Sequence, residues 1–341
     1  MGICALSSLW TMTPQNTFYA TRGVLEVAII GNLLIAFIGS DEKIEYILKC
    51  FVIAGAALII RLIITYPFDI WGREQLGNDV YNSNAMGLHL SISAICALYF
   101  LLKKGKRKWI FYILIPTLIV AVFLTGSRKA FFFSIAGCIL VYIFNVKRKR
   151  KLIFIFPVVA FLVYILFTYI MTIPEFYQVM GARVGALLEL IKGTREPDAS
   201  TQIRMLLINR GVDLWKSKPW FGYGIQSFES ISGFWTYSHN NYIELLVGIG
   251  LVGTAIYYSL YLFLLTKLGK LVFDGITIAN LFFIIVVLLI ISEIGFVSYG
   301  DEAFQILLAV GVACVQIFSK RKLESTNNEI LLFQSNGSAL R

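Results

Sequence analysis

Apolar stretches long enough to cross a bilayer recur along the whole chain, and no other feature constrains its fold as tightly. A spanning helix needs roughly 17–25 predominantly apolar residues. Lipid offers backbone amides and carbonyls no partners, so each stretch must satisfy its own as an α-helix. The apolar runs are continuous rather than alternating, which argues against strands. Composition agrees: 58% of residues are hydrophobic and 15% charged, where soluble domains run near a half and about a quarter. The sequence therefore predicts an all-α fold, a polytopic transmembrane helix bundle with one large extracytoplasmic loop. Nine spans are expected, near 23–39, 46–66, 86–102, 109–125, 130–146, 152–172, 242–264, 276–298 and 303–319.

Lysine and arginine in the connections set the orientation. Lys43 and Lys49, the run 103–108, the run 147–151, Lys267 and Lys270, and the run 320–322 all fall on one side of a nine-span chain. Cytoplasmic loops carry such an excess. The chain then divides into an N-terminal outer segment or truncated span (1–22), six helices (23–172), an extracytoplasmic catalytic loop (173–241), three helices (242–319) and a cytoplasmic tail (320–341). The tail is polar, lacks periodicity and reads as disordered. Met1–Trp10 is apolar but too short to span, and lacks the basic region of a signal peptide. The formal charge of +10 sits in short blocks between spans, which argues against a nucleic-acid partner. The five cysteines form no CxxC pair and read as small apolar core residues. With two histidines and no metal-ligand spacing, neither a metal nor a cofactor is expected.

Three motifs on the outer side have chemical potential. Thr125-Gly126-Ser127-Arg128 is a tight turn that sets Arg128 at the membrane boundary. An arginine snorkelling to lipid phosphates is the plainer reading. The long loop carries seven lysines and arginines, Arg183, Arg204 and Arg210 among them, against six acids, so these arginines are no crude polybasic patch. Segment 201–216 reads as an amphipathic helix at the interface. It runs into Lys218-Pro219-Trp220-Phe221-Gly222-Tyr223-Gly224, where the glycines would let backbone approach a substrate. An aromatic belt with turn glycines is the alternative. The third motif, His239-Asn240-Asn241-Tyr242-Ile243-Glu244, enters a span that continues through Gly248, Gly250 and Gly253, expected as helix-packing positions. A lone histidine at a helix start is more often structural than catalytic. Within the spans, Glu26 and Arg61 reach similar depths and are expected to pair or to share a cavity, with Glu293 a third intramembrane charge.

Together these motifs resemble the O-antigen polymerase and O-antigen ligase family. The strongest part is HNNYIELLVGIGLVG, His239 to Gly253. The turn 125–128, Arg204 with Trp215, Pro219, Gly222, Gly224 and Phe228, the segment Ser8-Leu9-Trp10-Thr11 and Asn82-Ser83-Asn84 add to it. Gly248 departs from the pattern, which often has glutamate there. Members also usually have more spans.

The resemblance implies transfer of a glycan from undecaprenyl pyrophosphate to a sugar hydroxyl on the outer face of the bacterial cytoplasmic membrane. The acceptor is another lipid-linked repeat unit in a polymerase and lipid A–core in a ligase. O-antigen or capsular polysaccharide would be the polymer, with flippase and chain-length regulator proteins as further partners. Such chemistry needs fixed cations facing the diphosphate leaving group, and a planar guanidinium suits phosphate oxygens. Arg128 and Arg204 are the first candidates, Arg210 and Arg183 the next. His239, read as the only histidine near the outer face, is the candidate base. Glu244 would hold the acceptor or the imidazole. Asn240, Tyr242 and Arg61 would bind substrate, and Trp220 and Tyr223 would stack on sugars. A transporter of lipid-linked oligosaccharide is the reading from another class, favoured by the intramembrane charges.

Overall fold

In a computed structural model the protein is described over residues 2–67, 82–103, 108–146 and 199–338, with the single positions Thr168 and Thr172. Eleven helices and no strand occur among the described residues. They are α1 (Gly2–Ser7), α2 (Pro14–Phe37), α3 (Asp41–Thr65), α4 (Ser83–Leu102), α5 (Trp109–Leu124), α6 (Arg128–Asn145), α7 (Ala199–Ser217), α8 (Phe228–Ile231), α9 (Asn241–Phe273), α10 (Thr277–Ser292) and α11 (Glu302–Ser338). Six are long and apolar enough to cross a membrane: α2, α3, α4, α6, α9 and the first part of α11. The apolar helices α5 and α10 have 16 residues each. At about 1.5 Å per residue each covers roughly 24 Å. Eight of the nine expected spans thus coincide with a helix, and the remaining one, 152–172, lies outside the described residues apart from its two threonines.

Local signals account for several helix starts. Pro14 opens α2, where its missing N–H costs nothing. Three polar side chains cap helices at one end of the bundle. Asn82 accepts the Asn84 N–H (2.9 Å), Ser127 that of Ala130 (3.3 Å) and Asn240 that of Ile243 (3.1 Å). The helix α4 is the hub. It packs on α3, α5, α6 and α10, and Leu88, Leu90, Ile92, Ile95 and Cys96 are fully buried. By contrast α2 leans on α11 and leaves Phe18, Ile29, Leu33 and Phe37 exposed, as a lipid-facing helix would.

Several sequence expectations need correction. Glu26 does not meet Arg61. It bonds Arg22 one turn earlier (2.8 Å), and Arg61 is exposed without a polar partner among the described residues. The reason is packing: similar depth does not make two helices neighbours, and α2 packs on α11 while α3 packs on α4. The span expected to end at 298 stops at Ser292, so Glu293 is the C-cap rather than an interior residue. The polar tail continues α11 to Ser338, consistent with the absence of proline or glycine between Lys320 and Asn336.

The helix α9 is broken. Gly250 has φ 65° and ψ −171°, and the chain before α9 fills the gap. Tyr223 and Gly224 donate N–H groups to the Val247 and Gly248 carbonyls (2.9 and 2.8 Å), while Leu251 and Val252 donate to Pro219 and Trp220 (2.8 and 3.2 Å). The backbones lie so close that a Cβ on Gly250 would fall 2.3 Å from the Trp220 carbonyl carbon, and one on Gly222 2.5 Å from the Val247 oxygen. These glycines therefore admit the chain's own backbone.

Candidate functional site

One end of the bundle gathers the polar motifs. Asn82, which caps α4, also donates to the Tyr237 hydroxyl (3.1 Å). Its neighbour Asn84 accepts from Ser127 (2.8 Å), the cap of α6. Three segments far apart in sequence, 82–84, 125–128 and 237–242, thus meet. The basic connections at Lys43, Lys103 and Lys320–Lys322 belong to the opposite helix ends.

The C-terminal turn of α10 is the platform for this end. Helix C-termini leave their last carbonyls unpaired, and here four carbonyls at and just beyond the end of α10 receive donors from the motifs. The Tyr242 hydroxyl binds the Ile290 carbonyl (2.8 Å) and the Asn241 N–H binds that of Glu293 (2.9 Å). The Asn240 amide binds Ile294 (3.1 Å). The Lys129 Nζ binds Gly295 (2.6 Å) and lies 5.0 Å from the Phe296 ring. A cation is well placed there, at the negative end of the α10 dipole.

His239 precedes this platform with φ 55°, in a turn fixed on both sides. The buried Glu244 carboxylate accepts the Ser238 N–H (2.9 Å), and the Ser238 hydroxyl donates to the Asn240 carbonyl (2.7 Å). The imidazole lies against the Tyr237 ring, with centroids 4.0 Å apart. Its nitrogens have no hydrogen-bond partner among the described residues. Burial, and then the charges of Arg204 and Lys129, hold its pKa down to about 4, so the ring is neutral at ordinary pH. Burial raises the Tyr237 phenol, and the bond from Asn82 opposes that.

Arg204 reaches this group from α7. It begins a stripe continued by the buried Leu207, Gly211 and Leu214, spaced as one helix face. The stripe packs on α9. At Gly211 a Cβ would come within 2.2 Å of Ile243, so only glycine allows this approach. Arg204 is half-buried and makes no hydrogen bond or ion pair with a described residue. Its charge acts on His239, Lys129 and Tyr237 alike.

Of the remaining sequence candidates, Arg128 is half-buried at the first position of α6, beside Lys129. Arg210 is exposed and donates to the Ser232 carbonyl (3.2 Å). Asn240, Tyr242 and Glu244 spend polar atoms on protein partners, as described above. Trp220 lies in an open apolar groove with Ile3, Leu6, Trp10 and Lys218, and Lys218 sits 4.5 Å from the Tyr223 ring centroid. No hydrogen bond or ring contact among the described residues joins these aromatics to His239. Arg183 lies outside the described residues. The segment after Trp10 seals the loop from the other side, with Thr17 donating to the Ile225 carbonyl (3.0 Å) and Thr13 bonding Ser227 (2.9 Å).

Sequence reasoning passed over Lys129, although it follows Arg128 directly in a turn already singled out. It also placed only His239 near this end. His89, less than two turns into α4, lies there too and bonds Asp301 (3.1 Å) just before α11.

A helical bundle with several spans, a broken helix and an arginine without a partner among the described residues, beside a neutral histidine, defines a multi-pass membrane protein with a polar site at one end. Comparison with known families specifies it further. Residues 113–258, from within α5 to within α9, match the family described as O-antigen ligase. The match over this stretch agrees with the resemblance to the O-antigen ligase and polymerase family, and it carries the turn 125–128, Arg204 and His239. No curated protein matches the chain.

Proposed function

We propose that the protein polymerises lipid-linked oligosaccharide repeat units by glycosyl transfer on the outer face of the bacterial cytoplasmic membrane. The observation that carries this reading is the half-buried Arg204, without a partner among the described residues and close enough to His239 to depress its pKa. An arginine kept beside a second cation and an uncharged imidazole is electrostatically incomplete. An anion completes it, and the family's lipid-linked glycans offer one in their diphosphate.

In the transfer, the acceptor hydroxyl oxygen bonds to the anomeric carbon as that carbon's bond to the diphosphate oxygen breaks. The electron pair leaves with the diphosphate, where Arg204 and Arg128 meet the growing charge. Loss of one preorganised donor at such a position typically costs about 10²–10³ in kcat. The hydroxyl proton passes to the neutral His239, which suits it to general base work. A low pKa makes the imidazole a weak base in the empty site. The bound diphosphate, by adding negative charge nearby, raises it. Glu244, Asn240 and Tyr242 act by holding the turn and its helix rather than by touching substrate.

A ligase that passes the glycan to lipid A–core is the second reading, favoured by the description of the matching family. Purified protein in lipid, given lipid-linked repeat units alone, tests the choice. Chain extension supports polymerisation. Transfer only when lipid A–core is added supports the ligase, and no transfer to either acceptor contradicts both.

A further inference from the structure

Glu293 is fully buried at the C-cap of α10, and nothing above gives its carboxylate a task. The position is an expensive one for an acid. Burial strips away water, and the helix C-terminus presents its negative end. No lysine, arginine or histidine lies within ion-pair distance among the described residues. The carboxylate is instead surrounded by hydroxyls. Tyr258 donates at 2.7 Å and Tyr261 at 2.6 Å. Ser298 donates to it as well, with Tyr257 at 3.4 Å.

The hydroxyls differ in what lies behind them. Tyr258 accepts from the Asn241 amide (3.2 Å) and stacks on Tyr242, with centroids 4.9 Å apart. The Asn241 side-chain oxygen in turn takes the N–H groups of Ser298 and Tyr299 (3.0 and 3.2 Å). Asn241 is the first residue of α9, two positions after His239. Tyr261, more deeply buried, bonds Glu293 and Tyr257 and does not reach Asn241. The carboxylate therefore reaches the His239 turn through Tyr258 and Asn241. It anchors the same residues a second time through Ser298.

We propose that Glu293 is a positioning residue for the transfer reaction, fixing His239 against Arg204 through Tyr258 and Asn241. An apolar side chain at 293 would avoid the desolvation cost but would take the carboxylate acceptor from the buried Tyr261 hydroxyl and the part-buried Tyr258 hydroxyl. The inference rests on the reading of His239 as the base.

The test compares Glu293→Gln, Tyr258→Phe and Tyr261→Phe in purified protein with lipid-linked repeat units. Glu293→Gln and Tyr258→Phe are expected to lower kcat about 100-fold with KM within about twofold, the cost of a roughly 1 Å misplacement. Tyr261→Phe removes the shorter and more buried bond but not the line to Asn241, so it is expected to lose at least about tenfold less than Tyr258→Phe. If Glu293 only supported the fold, Tyr261→Phe would be as harmful as Tyr258→Phe, and that result overturns the proposal, as does a wild-type kcat in Glu293→Gln. A second readout needs no activity. The chain has two histidines, and diethyl pyrocarbonate acylation is measured at each by mass spectrometry. Tyr258→Phe is expected to change the rate at His239 and not at His89. Equal rates at His239 in wild type and variant contradict the proposal even if the protein transfers no glycan at all, an outcome that would sink the enzymatic reading separately.

Discussion

The two ends of the bundle hold themselves together by different physics. At the end with the basic connections, cations meet carboxylates at the surface. Lys103 pairs with Glu45, Arg321 with Asp41 (2.7 Å) and Lys322 with Asp274 (2.7 Å). At the motif end the ties are mostly neutral and several are buried, running through Asn82, Ser127, Ser238, Asn240 and Asn241 to backbone groups, a hydroxyl and an amide oxygen. That end builds a rigid frame without using Arg204, and an arginine left over from the frame is available for a ligand. The difference teaches where charge serves cohesion and where it serves chemistry.

The largest expected effect comes from the break in α9. Gly250→Ala must place a Cβ 2.3 Å from the Trp220 backbone at a φ of 65°. This positive-φ, extended conformation, essentially confined to glycine, alone costs about 1–3 kcal/mol, and the overlap adds to it. The variant is expected to accumulate poorly in membranes or to lose transfer altogether, read by immunoblot and by polymer formation. Normal accumulation with normal polymer would mean that the latch between 219–224 and 247–252 does not hold the motif end. His239→Ala comes next. The protein is expected to insert normally and to lose transfer by about 10²–10⁴, the usual share of a positioned base.

How far the two ends were legible in the sequence follows from what spacing encodes. Apolar length marks spans regardless of neighbours, so eight helices coincide with the expected stretches. Capping is local too, and Asn82, Ser127 and Asn240 stand where caps belong. The stripe Arg204, Leu207, Gly211 and Leu214 already aims the arginine inward, as one helix face must. Contacts between segments are another matter. Asn82 meets Tyr237 across 155 residues and Lys129 meets Gly295 across 166, and nothing in either stretch names its partner. The Glu26–Arg61 pairing failed for the same reason, since depth along a helix says nothing about which helix lies beside it. Glycine also carries two meanings that sequence does not separate. Gly222 and Gly250 could equally admit a substrate or a neighbouring strand of backbone, and here it is backbone.

The pH dependence sharpens the contrast. The empty-site imidazole of His239 has its pKa lowered to about 4, so it stays in its basic form from neutral pH down to near that value. The acid limb of kcat/KM, which reports the free enzyme, is expected near pH 4 rather than near an ordinary histidine's value of about 6.5. The acid limb of kcat is expected at higher pH, because a bound diphosphate stabilises the imidazolium. Coincident limbs near pH 6.5 would mean that burial and the charges of Arg204 and Lys129 do not hold His239 down in the working protein. The smallest effect lies at the other end. Arg321→Ala removes a half-exposed pair, and such surface pairs contribute little to stability. Melting temperature and transfer rate should both stay close to wild type.

The most direct measurement sets the two ends against each other through one arginine from each. The initial rate of glycan transfer from a lipid-linked donor is taken for Arg204→Ala and Arg321→Ala at equal protein in the same lipid. Arg204→Ala is expected to run about 10²–10³ slower, the price of a lost donor at a developing anion, while Arg321→Ala keeps the wild-type rate. Equal rates in the two variants would contradict the assignment of Arg204 to the diphosphate.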